Sequence, residues 1–251
     1  MRLDQALVEG GFATSRARAQ ALIKNGCVCV AGVPVQKPAA KITTLDSITV
    51  TDHLYPWVSR GGVKLDHVLK AGDISVAGAT CMDIGASTGG FTDVLLHYGA
   101  AKVYAIDVGQ GQLHETLQQN PKVVNVEKTN ARYLDAATLL AADAGYIAAG
   151  ASVVVCDASF IPLDVVLAAP LRLTAPQAVC IALIKPQFLV GPAQVGKGGI
   201  VKSETARQAA CQDMQHWFES QGWQVASIEK SPITGPDGNI EYLLVAHKNS
   251  T

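Results

Sequence analysis

The 251-residue chain is 49% hydrophobic and 16% charged, with a formal net charge of −1. That composition excludes a disordered chain, and the length suits one large domain or a medium domain joined to a small one. The richest apolar stretch, residues 151–173, is broken by Asp157, Pro162, Asp164 and Pro170, so no membrane span is expected.

The start, Met1-Arg2-Leu3-Asp4, lacks the apolar core of a signal peptide, and a cytoplasmic protein is expected. Cys27, Cys29, Cys81, Cys156, Cys180 and Cys211 form no CxxC pair and show no zinc spacing. They read as reduced thiols in apolar runs, and no metal site is expected. Charge is uneven along the chain. Residues 1–70 hold nine Lys and Arg against five Asp and Glu; residues 71–251 hold eleven against sixteen. A basic front suits a phosphate-binding module, although so small an excess also fits scatter.

Leu3, Ala6 and Leu7 recur at helical spacing and stop at Gly10-Gly11. Thr14 or Ser15 can cap a second helix with Ala19, Leu22 and Ile23 on one face, closed by Asn25-Gly26. Cys27 to Val30 reads as a strand, Ala31-Gly32 as a turn and Val33 to Val35 as the returning strand. Arg16, Arg18 and Lys24 lie on or just after the second helix, and Lys37 and Lys41 follow the hairpin.

Arg2-Leu3-Asp4, Ser15-Arg16-x-x-Ala19, Ile23-x-x-Gly26-x-Val28-x-Val30-x-Gly32 and Lys37-Pro38 together resemble the small RNA-binding domain named after ribosomal protein S-four. The resemblance implies a small α+β domain over residues 1–52, with a helix pair whose basic face lies along folded RNA. Arg2, Arg16, Arg18, Lys24, Lys37, Lys41 and, beyond the domain, Arg60 become candidate phosphate contacts.

Residues 53–60 read as a linker, in which Tyr55 and Trp57 either stack on bases or pack one domain on another. Ser59-Arg60-Gly61-Gly62-Val63-Lys64-Leu65 then opens a helix running through Leu69, which sets Lys64 on the first helix of a larger domain, residues 61–251.

Ala79 to Ile84 is a short apolar strand, Gly85-Ala86-Ser87-Thr88-Gly89-Gly90 a tight turn, and Phe91 to Leu96 the start of a helix. A second strand, Lys102 to Ile106, ends at Asp107, 22 residues after Gly85. This is the layout of a nucleotide-binding βαβ unit, in which glycines let the backbone approach the ligand and the acidic residue takes ribose hydroxyls. The loop lacks the Gly-Lys-Ser/Thr of a phosphate loop and the second glycine of the dinucleotide fingerprint. An acidic residue two before Gly-x-x-x-Gly is instead the spacing usual in S-adenosylmethionine-dependent methyltransferases. Asp83 would repel a pyrophosphate but suits the cationic methionine end of that cofactor. Asp83, Gly85, Ala86, Ser87, Gly89, Gly90, Phe91 and Asp107 are therefore candidate cofactor residues, joined by Asn130 and Asp157 further along.

Further strands are expected at 123–126, 152–156, 179–184, 223–228 and 242–246, with an amphipathic helix over 204–219. The alternation predicts an α/β fold, a mainly parallel Rossmann-like sheet with helices on both faces. Gly85, Asp107, Asp157 and Lys185 all fall at strand carboxyl ends, where ligands of such sheets gather.

Lys64, Asp157, Lys185 and Glu241 complete a series in the settings Ser-Arg-Gly-Gly-Val-Lys64-Leu, Cys-Asp157-Ala-Ser-Phe-Ile, Leu-Ile-Lys185-Pro-Gln-Phe and Gly-Pro-Asp-Gly-Asn-Ile-Glu241-Tyr-Leu. With the Asp-Ile-Gly-Ala-Ser-Thr-Gly-Gly-Phe-Thr-Asp loop, they closely resemble the TlyA (haemolysin A) family, in which an S-four-like domain precedes an FtsJ-like ribose methyltransferase. The resemblance implies methylation of a ribose 2′-hydroxyl, of a cytidine, in the rRNA of small or large ribosomal subunits. S-adenosylmethionine is the implied cofactor. It further implies Lys185 as general base, Lys64 as a second cation, and Asp157 and Glu241 as the groups that orient the two ammoniums. A lysine can act so if burial or a neighbouring cation lowers its pKa toward ~7–8, whereas the carboxylates pull the other way. Leu189 departs from the family, which places an acidic residue after Lys-Pro-Gln-Phe.

Rival chemistries fit less well. The Asn/Asp-Pro-Pro-aromatic motif of amino-group methyltransferases is absent at Asp157-Ala158-Ser159-Phe160, and Cys156 sits in a strand, where it would be a poor nucleophile for a cytosine-carbon enzyme. Lys197, in Gly196-Lys197-Gly198-Gly199, suits either an RNA phosphate contact or a mobile loop. Two other classes are a membrane-active haemolysin and a non-catalytic ribosome assembly factor.

Overall fold

The computed structural model describes residues 1–13, 15–24, 26–45, 47–50, 55–146 and 150–248. Thr14, Asn25, and His53 and Leu54, read above as a cap, a helix stop and the linker's start, lie outside them. The chain divides into two compact units, Met1–Arg60 and Gly61–Thr251.

In the first unit, α1 (Leu3–Glu9) and α2 (Arg16–Lys24) bury Leu3, Ala6, Leu7, Ala19, Leu22 and Ile23 in one cluster. Ser15 Oγ accepts from the Arg18 amide at 3.1 Å and caps α2. β1 (Val28–Val30) turns through Ala31 and Gly32, with φ of 50° and 77°, into β2 (Val33–Pro34). Two successive positive φ values are what a two-residue hairpin turn of matching twist requires. A third strand that the sequence did not announce, β3 (Ile48–Val50), pairs antiparallel with the other edge of β1. Ahead of α1, Arg2 bridges antiparallel to Lys41, and the amides of Leu3 and Asp4 donate to Ala40 O and Pro38 O at 2.8 and 3.0 Å. Trp57, in the segment read as a linker, is buried.

The second unit begins with α3 (Gly62–Lys70) and is built on seven strands: β4 (Thr80–Ile84), β5 (Lys102–Ile106), β6 (Val123–Val126), β7 (Ala151–Cys156), β8 (Thr174–Ile184), β9 (Gln224–Lys230) and β10 (Tyr242–Lys248). Their spatial order is β6-β5-β4-β7-β8-β10-β9. The first five of that order run parallel, and β10 runs antiparallel between β8 and β9. β8 starts at Thr174 rather than Val179, and the short helices α5 (Glu115–Gln118), α6 (Ala136–Ala142) and α7 (Leu163–Leu167) were not anticipated.

Strand alternation sorts the two faces. Met82 and Ile84 of β4 share a core with Leu139 of α6, Val166 and Leu167 of α7, and Met214 and Phe218 of α8 (Glu204–Ser220). Cys81 and Asp83 point the other way, toward the face on which α4 (Gly90–His97) packs over β4 and β5 and against α3. Helices thus cover both faces of a mainly parallel sheet, as expected.

Candidate active site

Strand order reverses at β4, with β5 on one side and β7 on the other. At such a switch point the loops leaving adjacent strands diverge and open a crevice. A cavity of about 560 Å³ lies there, walled by Gly85 and Ser87 after β4, Asp107 and Val108 after β5, Asn130 and Ala131 after β6, and Asp157 to Ile161 after β7.

Asp107 ties two of these loops together, accepting from the Ser87 amide at 2.8 Å and the Gly109 amide at 2.7 Å. Glu127 steadies the next turn by accepting from Gly111 N and Gln112 N at 2.8 and 3.1 Å, bonds that hold its carboxyl below the ordinary range. Gly85 has φ +78°, and a Cβ there would lie 2.9 Å from Ala158 Cα, so only glycine lets the β4 and β7 loops approach so closely. Gly89, buried at the start of α4, has φ +94°, a left-handed conformation that favours glycine, and the ends of Leu113 and Leu117 pack over it. Ala86, Gly90 and Phe91 are likewise buried and off the cavity wall.

Asp83 lies beneath the loop, 1% exposed, with Thr92 Oγ1 donating to its Oδ2 at 2.7 Å and its Oδ1 without a partner. Burial pushes this carboxyl up to about 7, against the opposing bond from Thr92. The sequence reading missed Thr92, whose only signal was its place in the first turn of the following helix. Asp83 is also off the cavity wall, but its orphaned Oδ1 can accept from a ligand donor that reaches beneath the loop, and Asp107, on the wall, keeps acceptor capacity beyond its two amide bonds. The residues present therefore fit a ligand with an ammonium at one end and a ribose diol at the other.

The four-residue series converges beside this cavity. Lys64 comes from α3, Asp157 from the end of β7 and Lys185 from the end of β8. Glu241 precedes β10, whose antiparallel register sets Tyr242 opposite Ile184 and so delivers Glu241 to the carboxyl end of β8. Lys64 Nζ donates to Glu241 Oε2 at 2.7 Å and reaches Asp157 Oδ1 and Oδ2 at 3.3 and 3.1 Å. Lys185 Nζ lies 2.7 Å from Asp157 Oδ1 and donates to Asp157 O at 3.0 Å and Ser159 Oγ at 2.8 Å. Ser159 was not singled out in advance, since nothing in the sequence shows that it faces Lys185.

Lys64, Lys185 and Glu241 are all buried, while the Asp157 side chain keeps 19% exposure and reaches the cavity. Burial works against the Lys64 ammonium, but Asp157 and Glu241 outweigh it and hold its pKa above the ordinary lysine value. Burial also works against the Asp157 carboxylate, and the two ammoniums outweigh it and hold its pKa low.

Buried Asn239 supports the Glu241 end. Its Oδ1 accepts from Val201 N at 3.0 Å and its Nδ2 donates to Gly199 O at 2.9 Å, anchoring the glycine-rich run in which Lys197 is exposed. Leu189, where an acidic residue was expected, packs half-buried against the core. Cys156 is fully buried, and burial pushes its thiol up to about 12, so it is no nucleophile.

The basic residues of the first unit fall into two groups. Arg2 and Arg16 both pair with buried Asp4, at 2.9 and 3.1 Å. Arg18, Lys24, Lys37 and Lys41 are exposed, and Arg60 is half-buried. Among the described residues no helix is long and apolar enough to cross a membrane, and no group of three His, Cys, Asp or Glu side chains could hold a metal ion.

Comparison with known proteins agrees with this architecture. The FtsJ-like methyltransferase family model matches residues 57–248, and the S4 domain model matches residues 1–48. The 16S/23S rRNA (cytidine-2'-O)-methyltransferase TlyA of Mycobacterium tuberculosis is 43% identical over 97% of this chain and 88% of its own. Hemolysin A of Brachyspira hyodysenteriae is 38% identical over 97% of this chain and 98% of its own. A solved Streptococcus thermophilus structure bearing a hemolysin name superposes with a TM-score of 0.76 at 33% identity, covering 100% of this chain and 89% of that one. The chain belongs to the TlyA family, in which an S4 domain is joined to an FtsJ-like methyltransferase domain.

Proposed function

We propose that the protein transfers a methyl group from S-adenosylmethionine to the ribose 2′-hydroxyl of a cytidine in ribosomal RNA, acting on ribosomal subunits in the cytoplasm. The observation that carries this reading is Asp157, which lines the cofactor-sized cavity and also bridges the buried ammoniums of Lys64 and Lys185. A hydroxyl to be methylated must lie against both a methyl donor and a group that handles its proton, and Asp157 joins those two places.

S-adenosylmethionine supplies, when bound, a methyl group activated by its sulfonium; Asp83, Gly85, Ser87, Asp107 and Asn130 are the residues that would hold it. Lys185 is the base. As an ammonium its three N–H groups meet three acceptors, Asp157 Oδ1, Asp157 O and Ser159 Oγ. As an amine it keeps two N–H donors for the Asp157 acceptors and releases Ser159 Oγ, whose hydroxyl can turn to another partner. Its lone pair is then available to the 2′-hydroxyl proton. Lys64, kept charged by two carboxylates, is the fixed cation that stabilises negative charge developing on the ribose oxygen. Asp157 and Glu241 set the positions of both ammoniums. The S4 domain supplies RNA affinity through its basic residues.

The test is methyl transfer from labelled S-adenosylmethionine to purified small subunits, large subunits and naked rRNA, with the modified ribose mapped. Labelling of a 2′-oxygen that disappears in Lys185→Ala is the expected result. Full activity in that variant overturns the base assignment. Cofactor binding without labelling of any RNA favours a non-catalytic assembly factor. The name of the Brachyspira relative raises a membrane-active alternative; release of dye from liposomes by pure protein, without methyl transfer, would favour it.

A further inference from the structure

We infer that Asp4 is a positioning residue for RNA binding, whose buried carboxylate holds the Arg2 and Arg16 guanidiniums as a preformed clamp for one stretch of phosphate backbone. The inference rests on the reading of the N-terminal unit as the RNA-binding part.

Asp4 is fully buried, yet it accepts four hydrogen bonds. Arg2 forks onto it, with Nε on Oδ1 at 2.9 Å and Nη2 on Oδ2 at 3.0 Å. Two attachment points fix the plane of that guanidinium. Arg16 Nε and Gln20 Nε2 reach the same Oδ2 at 3.1 and 3.0 Å. The Arg2 and Arg16 side chains nevertheless stay 43% and 53% exposed. Arg2 thus spends two of its five N–H donors on Asp4 and Arg16 only one, and the rest remain for an outside anion. Because Arg2 Nη2 and Arg16 Nε share one carboxylate oxygen, the two guanidiniums are neighbours.

The backbone is held as firmly as the side chains. Arg2 is bridged to Lys41, and cross-strand partners project to the same side, so the exposed Lys41 joins the two arginines. Among the described residues, the acidic group bonded in this cluster is the enclosed Asp4 carboxylate, and the cations are exposed. Long, free arginines would have to be ordered when phosphate arrives; here that ordering is done in advance.

A purely electrostatic view and the positioning view predict opposite signs for one substitution. Asp4→Asn removes a negative charge near the RNA, which by charge alone tightens binding. Loss of the clamp weakens it. Binding of naked rRNA by the full chain, titrated at several salt concentrations, reads the difference, with circular dichroism and S-adenosylmethionine calorimetry reporting that both units are intact. The expected result is binding about tenfold weaker for Asp4→Asn, with a shallower salt dependence; unchanged or tighter binding by an intact variant overturns the inference. Should Asp4→Asn fail to fold, Arg16→Lys decides, because it keeps the charge but loses the planar fork whose separate nitrogens would face carboxylate and phosphate in fixed directions. Weakening close to that of Arg16→Ala supports the clamp, and wild-type binding overturns it. If neither Arg2→Ala nor Arg16→Ala weakens binding, the RNA-binding reading of these arginines fails and the inference with it. If both weaken binding while Asp4→Asn and Arg16→Lys do not, only the positioning role fails.

Discussion

Asp4 and Asp157 each hold two cations on a single carboxylate, but they enclose opposite halves of the arrangement. At Asp4 the anion is fully buried and the guanidiniums are 43% and 53% exposed. At Asp157 the ammoniums are the enclosed partners, with side chains 6% and 8% exposed, and the carboxylate keeps 19%. Glu241 adds a second carboxylate there, so two positive charges meet two negative ones. The first cluster shows surplus positive charge to a polyanion outside. In the second the charge is balanced, so little net attraction is left over and what remains is the ability to place and move a proton. With the roles proposed above, which member of an ion pair is buried separates the binding surface from the reaction centre in one chain.

Breaking the enclosed cluster gives the largest expected effects. Lys185→Ala should lower methyl transfer by roughly 10²–10⁴-fold with little change in cofactor affinity, measured by labelled transfer and calorimetry. Retention of about a tenth or more of the activity would remove Lys185 from the role of base. A carboxylate with no cation at all sharpens the contrast. Asp83, raised by burial from an ordinary 3.8 to about 7, keeps a proton in the folded chain that the unfolded chain has already released. Between those values the folded state binds more protons, so stability falls as pH rises through the window, by on the order of a few kcal/mol. Chemical denaturation across that range should show the slope, and Asp83→Asn should flatten it.

Glu241→Gln leaves the Lys64 ammonium in its buried place with one carboxylate fewer and should cost about 3 kcal/mol in denaturant unfolding. The corresponding loss at the outer cluster, Arg16→Gln, should cost less, because Asp4 keeps the Arg2 fork and the Gln20 bond. Equal costs at the two places would erase the distinction drawn here. Gly85→Ala, forced into a positive φ against Ala158, should weaken S-adenosylmethionine binding about tenfold by calorimetry. The smallest effect belongs to single exposed cations. Lys24→Ala or Lys37→Ala should weaken rRNA binding only a few-fold and reduce the salt slope by about 1.

Much of this contrast was legible in the amino-acid order, though unevenly. The parallel strands read clearly because each is an apolar run ended by a turn or a charge, and the candidate ligand residues are those just past the ends. Asp157 and Lys185 are of this kind. Glu241 was placed by resemblance alone, since only the antiparallel entry of β10 brings it to that end of the sheet. Short segments such as β3 and α5 carry too few residues to show a period. The Asp4 cluster was hidden for another reason: residues 2, 4, 16 and 20 meet only once two helices pack, and arginines in a basic segment look free until their partner is seen. Gly89 is buried behind the cavity wall, where its φ of +94° asks for glycine whether or not a ligand lies near, and no sequence pattern separates those two reasons.

β10 also bears on how the protein is made. It lies between β8 and β9, although β9 precedes it along the chain. During synthesis β9 emerges with no neighbour to pair with, because the place beside β8 belongs to a strand not yet translated. When β10 slips into that gap it supplies hydrogen-bonding partners to both sides at once, and the same event carries Glu241 to Lys64. Completion of the sheet and assembly of the four-residue cluster are therefore linked, and a nascent chain stopped before β10 would lack the carboxylate that the proposed mechanism sets against Lys64.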